Sequence, residues 1–187
     1  KASVVVPDVG SLVPELASRG IPHYLCTLRL RGLPALVWLM VRAKADLVYA
    51  NNFHYRSAIA LLAARLARRR FVWHIREMVR TPSLSTRLLR RANAVVAVSD
   101  ASAGCVRQFC PAEKITVIHN GIELREFDLP NREEAREHVR HELGVANDQI
   151  LVMNLGHINS RKNQLGAISV AAQVVHQKPQ VKFCFLG

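Results

Sequence analysis

The chain is 187 residues long, half of them apolar, and carries 26 Lys and Arg against 14 Asp and Glu, a formal charge of +12. That length suits one domain or two small ones, and 21% charged residues beside an apolar half exclude wholesale disorder. The longest apolar run, Leu33 to Val41, lies between Arg31 and Arg42 and falls far short of the roughly 20 residues of a membrane span. Lys1 leads straight into an apolar run, so no secretory leader is expected.

Taken in order, Ser3–Val6 reads as a β-branched strand, followed by a helix from Ser11, a candidate N-cap, to Arg19 and closed by Gly20. His23–Leu28 reads as a strand, Pro34–Ala45 as a helix, Leu47–Ala50 as a strand and Tyr55–Arg69 as a long helix. In that helix Ile59, Leu62 and Leu66 recur at three and four residues and are expected to form its apolar face. Then come strand Phe71–Ile75, helix Ser83–Arg91, strand Ala94–Val98, helix Ala101–Phe109 and strand Ile115–His119. A polar stretch, Glu123 to Pro130, resembles a linker. Beyond it lie helix Arg132–Leu143, ended by Gly144, strand Ile150–Leu155, helix Asn163–His176 and strand Val181–Leu186.

Short apolar strands alternating with helices predict an α/β fold, a Rossmann-like doubly wound parallel sheet. The six strands before the linker are expected to fill one such unit, and the two after it to begin a second. Two strands and two helices bury too little apolar surface to stand alone, so residues 131–187 are expected to be less protected from amide exchange than the first unit.

Charge divides along the same line. Residues 1–118 hold 18 Lys and Arg against 6 Asp and Glu, whereas residues 119–187 hold 8 of each. Between Arg56 and Arg91 the excess gathers in Arg65, Arg68, Arg69, Arg70, Arg76, Arg80, Arg87 and Arg90. Such a field concentrates anionic partners. A solvated basic face that only keeps the chain soluble accounts for the charge equally well. Cys26, Cys105, Cys110 and Cys184 show neither a CxxC pair nor ligand spacing with histidine, so buried free thiols are expected and no metal site.

In open α/β sheets ligands bind beyond the carboxyl ends of the strands. No GxGxxG, P-loop or GxSxG pattern stands there. After Leu155 come Gly156, His157, Ile158, Asn159, Ser160, Arg161 and Lys162, then a helix. A strand-end glycine with two cations at a helix amino end suits an anion, although exposed loop charge is the plainer reading. His74 at another strand end is either a hydrogen-bonding group near the chemistry or a structural histidine. Asn51 and Asn52 are either sugar-binding amides or Asx-turn residues.

Several of these turns together resemble the family-four retaining glycosyltransferases of GT-B architecture. The carriers are ADLVYANN (45–52), FVWHIRE (71–77), ANAVVAVSDAS (92–102), KITVIHNGIELREF (114–127) and ILVMNLGHINSRKNQLGAI (150–168), in the family's order over residues 46–187. The resemblance implies an acceptor-side Rossmann-like domain at 1–119 lacking its first strand, an interdomain linker at 120–130 hinged at Asn120 and Gly121, and the beginning of a nucleotide-sugar-binding domain at 131–187. It implies His74 near the reacting sugar, Gly156, His157, Arg161 and Lys162 on the donor diphosphate, and Asn51 and Asn52 on the acceptor side. His157 stands where the family usually has an arginine, with Arg161 as the substitute.

The implied reaction is transfer of a sugar, with retention, from a nucleotide-diphosphate sugar to a glycan or lipid-linked acceptor, with no metal or other cofactor. The implied place is the cytoplasm, peripheral at the inner face of an anionic membrane. Nothing acidic follows Asp148, so the family's Glu-x7-Glu motif is not expected here and the chain itself is expected to be inactive. A basic α/β module that binds nucleic acid or membrane is the alternative, together with a catalytically dead remnant. At 6% aromatics without a stacking pattern, nucleic acid is not the expected partner.

Overall fold

A computed structural model of the chain describes residues 2–79, 83–128 and 130–187. Arg80, one of the basic cluster, and residue 129 of the linker lie outside the described residues. The chain divides into two compact units, Lys1–Gly121 and Ile122–Gly187. The boundary falls inside the 120–130 segment.

The first unit runs β1 (Val4–Val6), α1 (Leu12–Ser18), β2 (His23–Leu25), α2 (Leu33–Arg42), β3 (Leu47–Ala50), α3 (Tyr55–Leu66), β4 (Arg70–Ile75), α4 (Leu84–Leu89), β5 (Ala94–Ala97), α5 (Asp100–Val106) and β6 (Ile115–Val117). All strand pairs are parallel. In the parallel α/β fold read from the sequence, the described strands pair in two groups, β1 with β2 and β3-β4-β5-β6 as a four-stranded sheet. A groove of about 980 Å³ is lined by residues of β1 and β3, by Leu36, Leu39 and Met40 of α2 and by Arg56, Ser57 and Ala60 of α3.

Burial explains where the elements sit. In β4, Phe71, Trp73 and Ile75 are wholly buried on one face, leaving Val72 and His74 on the other. Helix α3 meets the core through Ala58, Leu61 and Ala64, while Leu62 and Leu66 stay 41% and 58% exposed. The expected Ile59–Leu62–Leu66 face is therefore wrong. Small side chains bring the helix close to its neighbours, and Ala63 and Ala64 are sealed completely. Ser83 and Ser99 close reciprocal capping boxes with Thr86 and Ser102 at the starts of α4 and α5. Ser11 precedes α1 but makes no side-chain capping bond, because its backbone is already helical. Gly20 ends that helix with a positive φ of 62°, its N–H donating to the Ala17 carbonyl. Of the four free cysteines, Cys110 is buried and the other three are half-buried.

The second unit runs α6 (Arg132–Glu142), β7 (Ile150–Leu155), α7 (Gln164–Gln177) and β8 (Val181–Leu186), with β7 and β8 parallel and in register from Ile150–Val181 to Leu155–Leu186. Arg140 is buried against the turn after α6, donating through Nη2 to the carbonyls of Ala146 and Gln149. The sheet itself is thinly covered: Ile150, Val152, Met153 and Leu155 of β7 are all exposed.

Candidate functional site

Two groups of the expected site residues fall in different units, and each is described by itself. In the first unit, His74 lies one residue before the end of β4, on the face away from the Trp73 core. Its Nδ1 is hydrogen-bonded to the Tyr49 hydroxyl of β3 at 2.7 Å, and the two rings meet edge-on with centroids 5.7 Å apart. Its Nε2 is buried without a hydrogen-bond partner among the described residues. Burial first, and the Arg76 charge second, hold the imidazole below its ordinary pKa, which favours the neutral ring. Tyr49 was not foreseen as a site residue. Parallel register sets Tyr49 opposite Val72, on the face that His74 shares, so strand alternation would have found it once the pairing was known.

Asn52 serves the local fold. Its Oδ1 accepts from the Phe53 N–H at 2.7 Å, and its carbonyl accepts from Trp73 Nε1 at 2.9 Å and from the Ser57 hydroxyl at 2.8 Å. The Oδ1 bond reaches only the next residue, short of the two-residue span of an Asx-turn, while the Asn52 carbonyl anchors the buried indole. Asn51 is exposed at the mouth of the groove and makes no side-chain hydrogen bond among the described residues. Asn120 and Gly121 are exposed, at the boundary between the two units.

In the second unit the loop from Gly156 to Asn163 joins β7 to α7. Gly156 adopts φ +142°, which a side chain rarely tolerates, and so turns the chain sharply off the strand. Lys162 is exposed and has no ion pair among the described residues. Its Cε lies 3.9 Å from where a Cβ on Gly156 would stand, so the side chain runs over the strand-end glycine. His157 and Arg161 are both exposed, with no side-chain hydrogen bond among the described residues.

The loop is held from beneath by Gln164, a residue without an expected role. Only 6% exposed, it donates through Nε2 to the carbonyls of Gly156 and His157 at 3.3 and 3.0 Å and accepts from the Asn159 N–H at 3.3 Å. Asn159 in turn accepts the Lys162 N–H on its Oδ1 at 3.0 Å. Asn163, left-handed at φ 53°, starts α7 without a side-chain capping bond, its amide group lying against Gly166 of the first turn. The loop thus sets an exposed ammonium over the strand-end glycine, with the exposed Arg161 next to it in the chain and a helix start that lacks a side-chain capping bond. That arrangement can hold an anion. Among the described residues no group of three or more His, Cys, Asp or Glu is placed to hold a metal ion, and no helix is long and apolar enough to cross a membrane.

No curated protein sequence is significantly similar to the chain. Among solved structures, Anabaena HepE in complex with UDP and glucose matches at 25% identity with a TM-score of 0.75, over 97% of this chain and 52% of that one. HepE in complex with UDP-glucose matches at 20% identity with a TM-score of 0.68, over 98% and 61%. MurG of Acinetobacter baumannii shares the fold at 17% identity with a TM-score of 0.53, over 98% and 56%. The chain therefore spans between half and two thirds of the length of these solved proteins. The family model for Glycosyltransferase Family 4 matches residues 3–126, and the chain belongs to that family.

Proposed function

We propose that the chain is part of a glycosyltransferase that moves a sugar, with retention, from a UDP-sugar to a glycan or lipid-linked acceptor. The observation that carries the reading is the loop after β7. Lys162 lies exposed over Gly156, without an ion pair among the described residues, just before a 14-residue helix that lacks a side-chain capping bond. HepE, 25% identical over nearly the whole chain, is described in complex with UDP and glucose, which supports a uridine diphosphate at this loop.

The chemistry asked of the protein is modest. As the glycosidic bond to the diphosphate breaks, negative charge grows on the leaving oxygens, and fixed cations and helix amides aimed at it stabilise the transition state. Lys162 and Arg161 supply the cations, and α7 supplies the amides. The sugar passes through an oxocarbenium-like state. His74, neutral and steadied by Tyr49, serves the acceptor side. Cations in these positions take the part a metal would otherwise play, so transfer by the whole protein is insensitive to EDTA.

We further infer that the protein works in the cytoplasm, with its basic first unit against the anionic inner face of a membrane. In support, Arg65, Arg68, Arg70, Arg76, Arg87, Arg90 and Arg91 are exposed and form no ion pair among the described residues. Calorimetric titration with UDP tests the donor reading. Binding that weakens at least tenfold in Lys162→Ala is expected, and equal affinity in both proteins refutes the loop assignment.

A further inference from the structure

Beyond the carboxyl ends of β1, β2 and β3, a second and smaller cavity of about 260 Å³ is lined by three arginines. Arg29 and Arg31 come from the turn after β2, and Arg56 from the first turn of α3; Asp8, just after β1, is the one carboxylate on its wall. No ion pair among the described residues neutralises any of the three guanidiniums. Like charges gathered in a concave site repel one another unless an anion joins them.

Two features show that the arginines are held together rather than scattered. The turn carrying Arg29 and Arg31 is drawn tight at Gly32, where an added Cβ would lie 2.0 Å from the Thr27 carbonyl oxygen, so no side chain fits there without moving backbone. Arg56 first, and Arg29 after it, also make the neighbouring exposed Tyr55 hydroxyl more acidic, which sets both guanidiniums near it. Three donors of fixed planar geometry around one hollow are the arrangement that recognises phosphate oxygens in pairs. At about 30 Å³ per water the hollow of about 260 Å³ has room for roughly eight waters, enough for a phosphate or diphosphate group.

We propose that Arg29, Arg31 and Arg56 form a binding site for a phosphate or diphosphate group, the anionic end of the acceptor. Anion binding stands on the cavity alone; the word acceptor rests on the transferase reading above. The site is distinct from the loop at Lys162, in which donor diphosphate binding was proposed.

The test titrates inorganic pyrophosphate into the Lys162→Ala chain, so that the donor loop is silenced, while following backbone amides by NMR. Shifts centred on residues 27–31 and 54–57 are expected, with affinity falling at least fivefold in each of Arg29→Gln, Arg31→Gln and Arg56→Gln and unchanged in Arg107→Gln, at an exposed arginine outside the hollow. Pyrophosphate binding that ignores all three substitutions overturns the site. Arg31→Gln, on an exposed side chain, keeps the test valid should Arg56→Gln unfold the unit. A water-soluble prenyl diphosphate and phosphatidylglycerol vesicles distinguish the sources. Arginine-dependent binding of the prenyl diphosphate supports a lipid-linked acceptor. Arginine-dependent binding of the vesicles alone, with neither diphosphate bound, overturns the acceptor assignment. UDP binding that persists in the arginine variants and fails in Lys162→Ala keeps the two proposals separate, whichever of them fails.

Discussion

The Tyr49 hydroxyl and the His74 Nδ1 lie 2.7 Å apart, joining adjacent strands near their carboxyl ends. This bond fixes the histidine ring where edge-to-face packing alone would leave it free to turn. Tyr49→Phe keeps the ring contact and removes only the hydroxyl. It is expected to cost about 1 kcal/mol of stability, measured by urea unfolding, and to let the His74 ring signals broaden in NMR spectra. Unchanged stability and unchanged His74 signals would show that packing alone orients the ring.

His74 also gives the first unit a pH dependence. Burial and Arg76 lower its pKa below the ordinary 6.5, so the unfolded chain takes up a proton there more readily than the folded one. Its contribution is complete above about 6.5 and is lost as the pH falls through the lower, folded value. Between pH 7.5 and 5.5 the wild-type melting temperature should therefore drop further than that of His74→Gln. Parallel curves for the two proteins would contradict the assignment.

Glycines separate into positions with and without room. A Cβ at Gly32 meets the Thr27 carbonyl, whereas one at Gly10 meets nothing within 4 Å. Gly32→Ala should destabilise the first unit by about 1–3 kcal/mol, the range for forced overpacking, and Gly10→Ala should leave it within about 0.5 kcal/mol of wild type. Equal effects in thermal unfolding would remove the case for a tightly drawn turn behind Arg29 and Arg31.

Gln164 carries the loop at the end of β7. Gln164→Ala leaves the carbonyls of Gly156 and His157 and the Asn159 N–H without their buried partner, at a cost of about 1–3 kcal/mol. Gln164→Glu fares no better, because a carboxylate cannot donate to two carbonyls. Amide exchange over residues 156–163 should quicken in both variants. Exchange as slow as in the wild type would mean that the loop is held by something else.

Most strands and helices were legible because each is short and uniformly apolar or strongly periodic. Leu47–Ala50 and Ile150–Leu155 stand in the structure with the bounds read from the sequence. The face of α3 was not legible, since leucines mark an apolar stripe only when larger spaces await them, and here Ala58, Ala63 and Ala64 take the close contact. The separation of β1-β2 from β3-β6 is a property of pairing, which strand composition does not encode. Motif spacing pointed to His74 and to the Gly156–Lys162 loop. Tyr49, Gln164 and the Arg29–Arg31–Arg56 hollow escaped because each depends on residues from separate elements meeting in space, and single uncharged or scattered side chains leave no pattern along the chain.

The central claim is that the loop over Gly156 holds a nucleoside diphosphate, and its most direct measurement is the map of amide shifts when UDP is added to the labelled chain. The account predicts the largest shifts at residues 156–166, abolished in Lys162→Ala, with the signals of β4 and β5 unmoved. Shifts centred on the arginines of the first unit, or a map identical in Lys162→Ala, would contradict it.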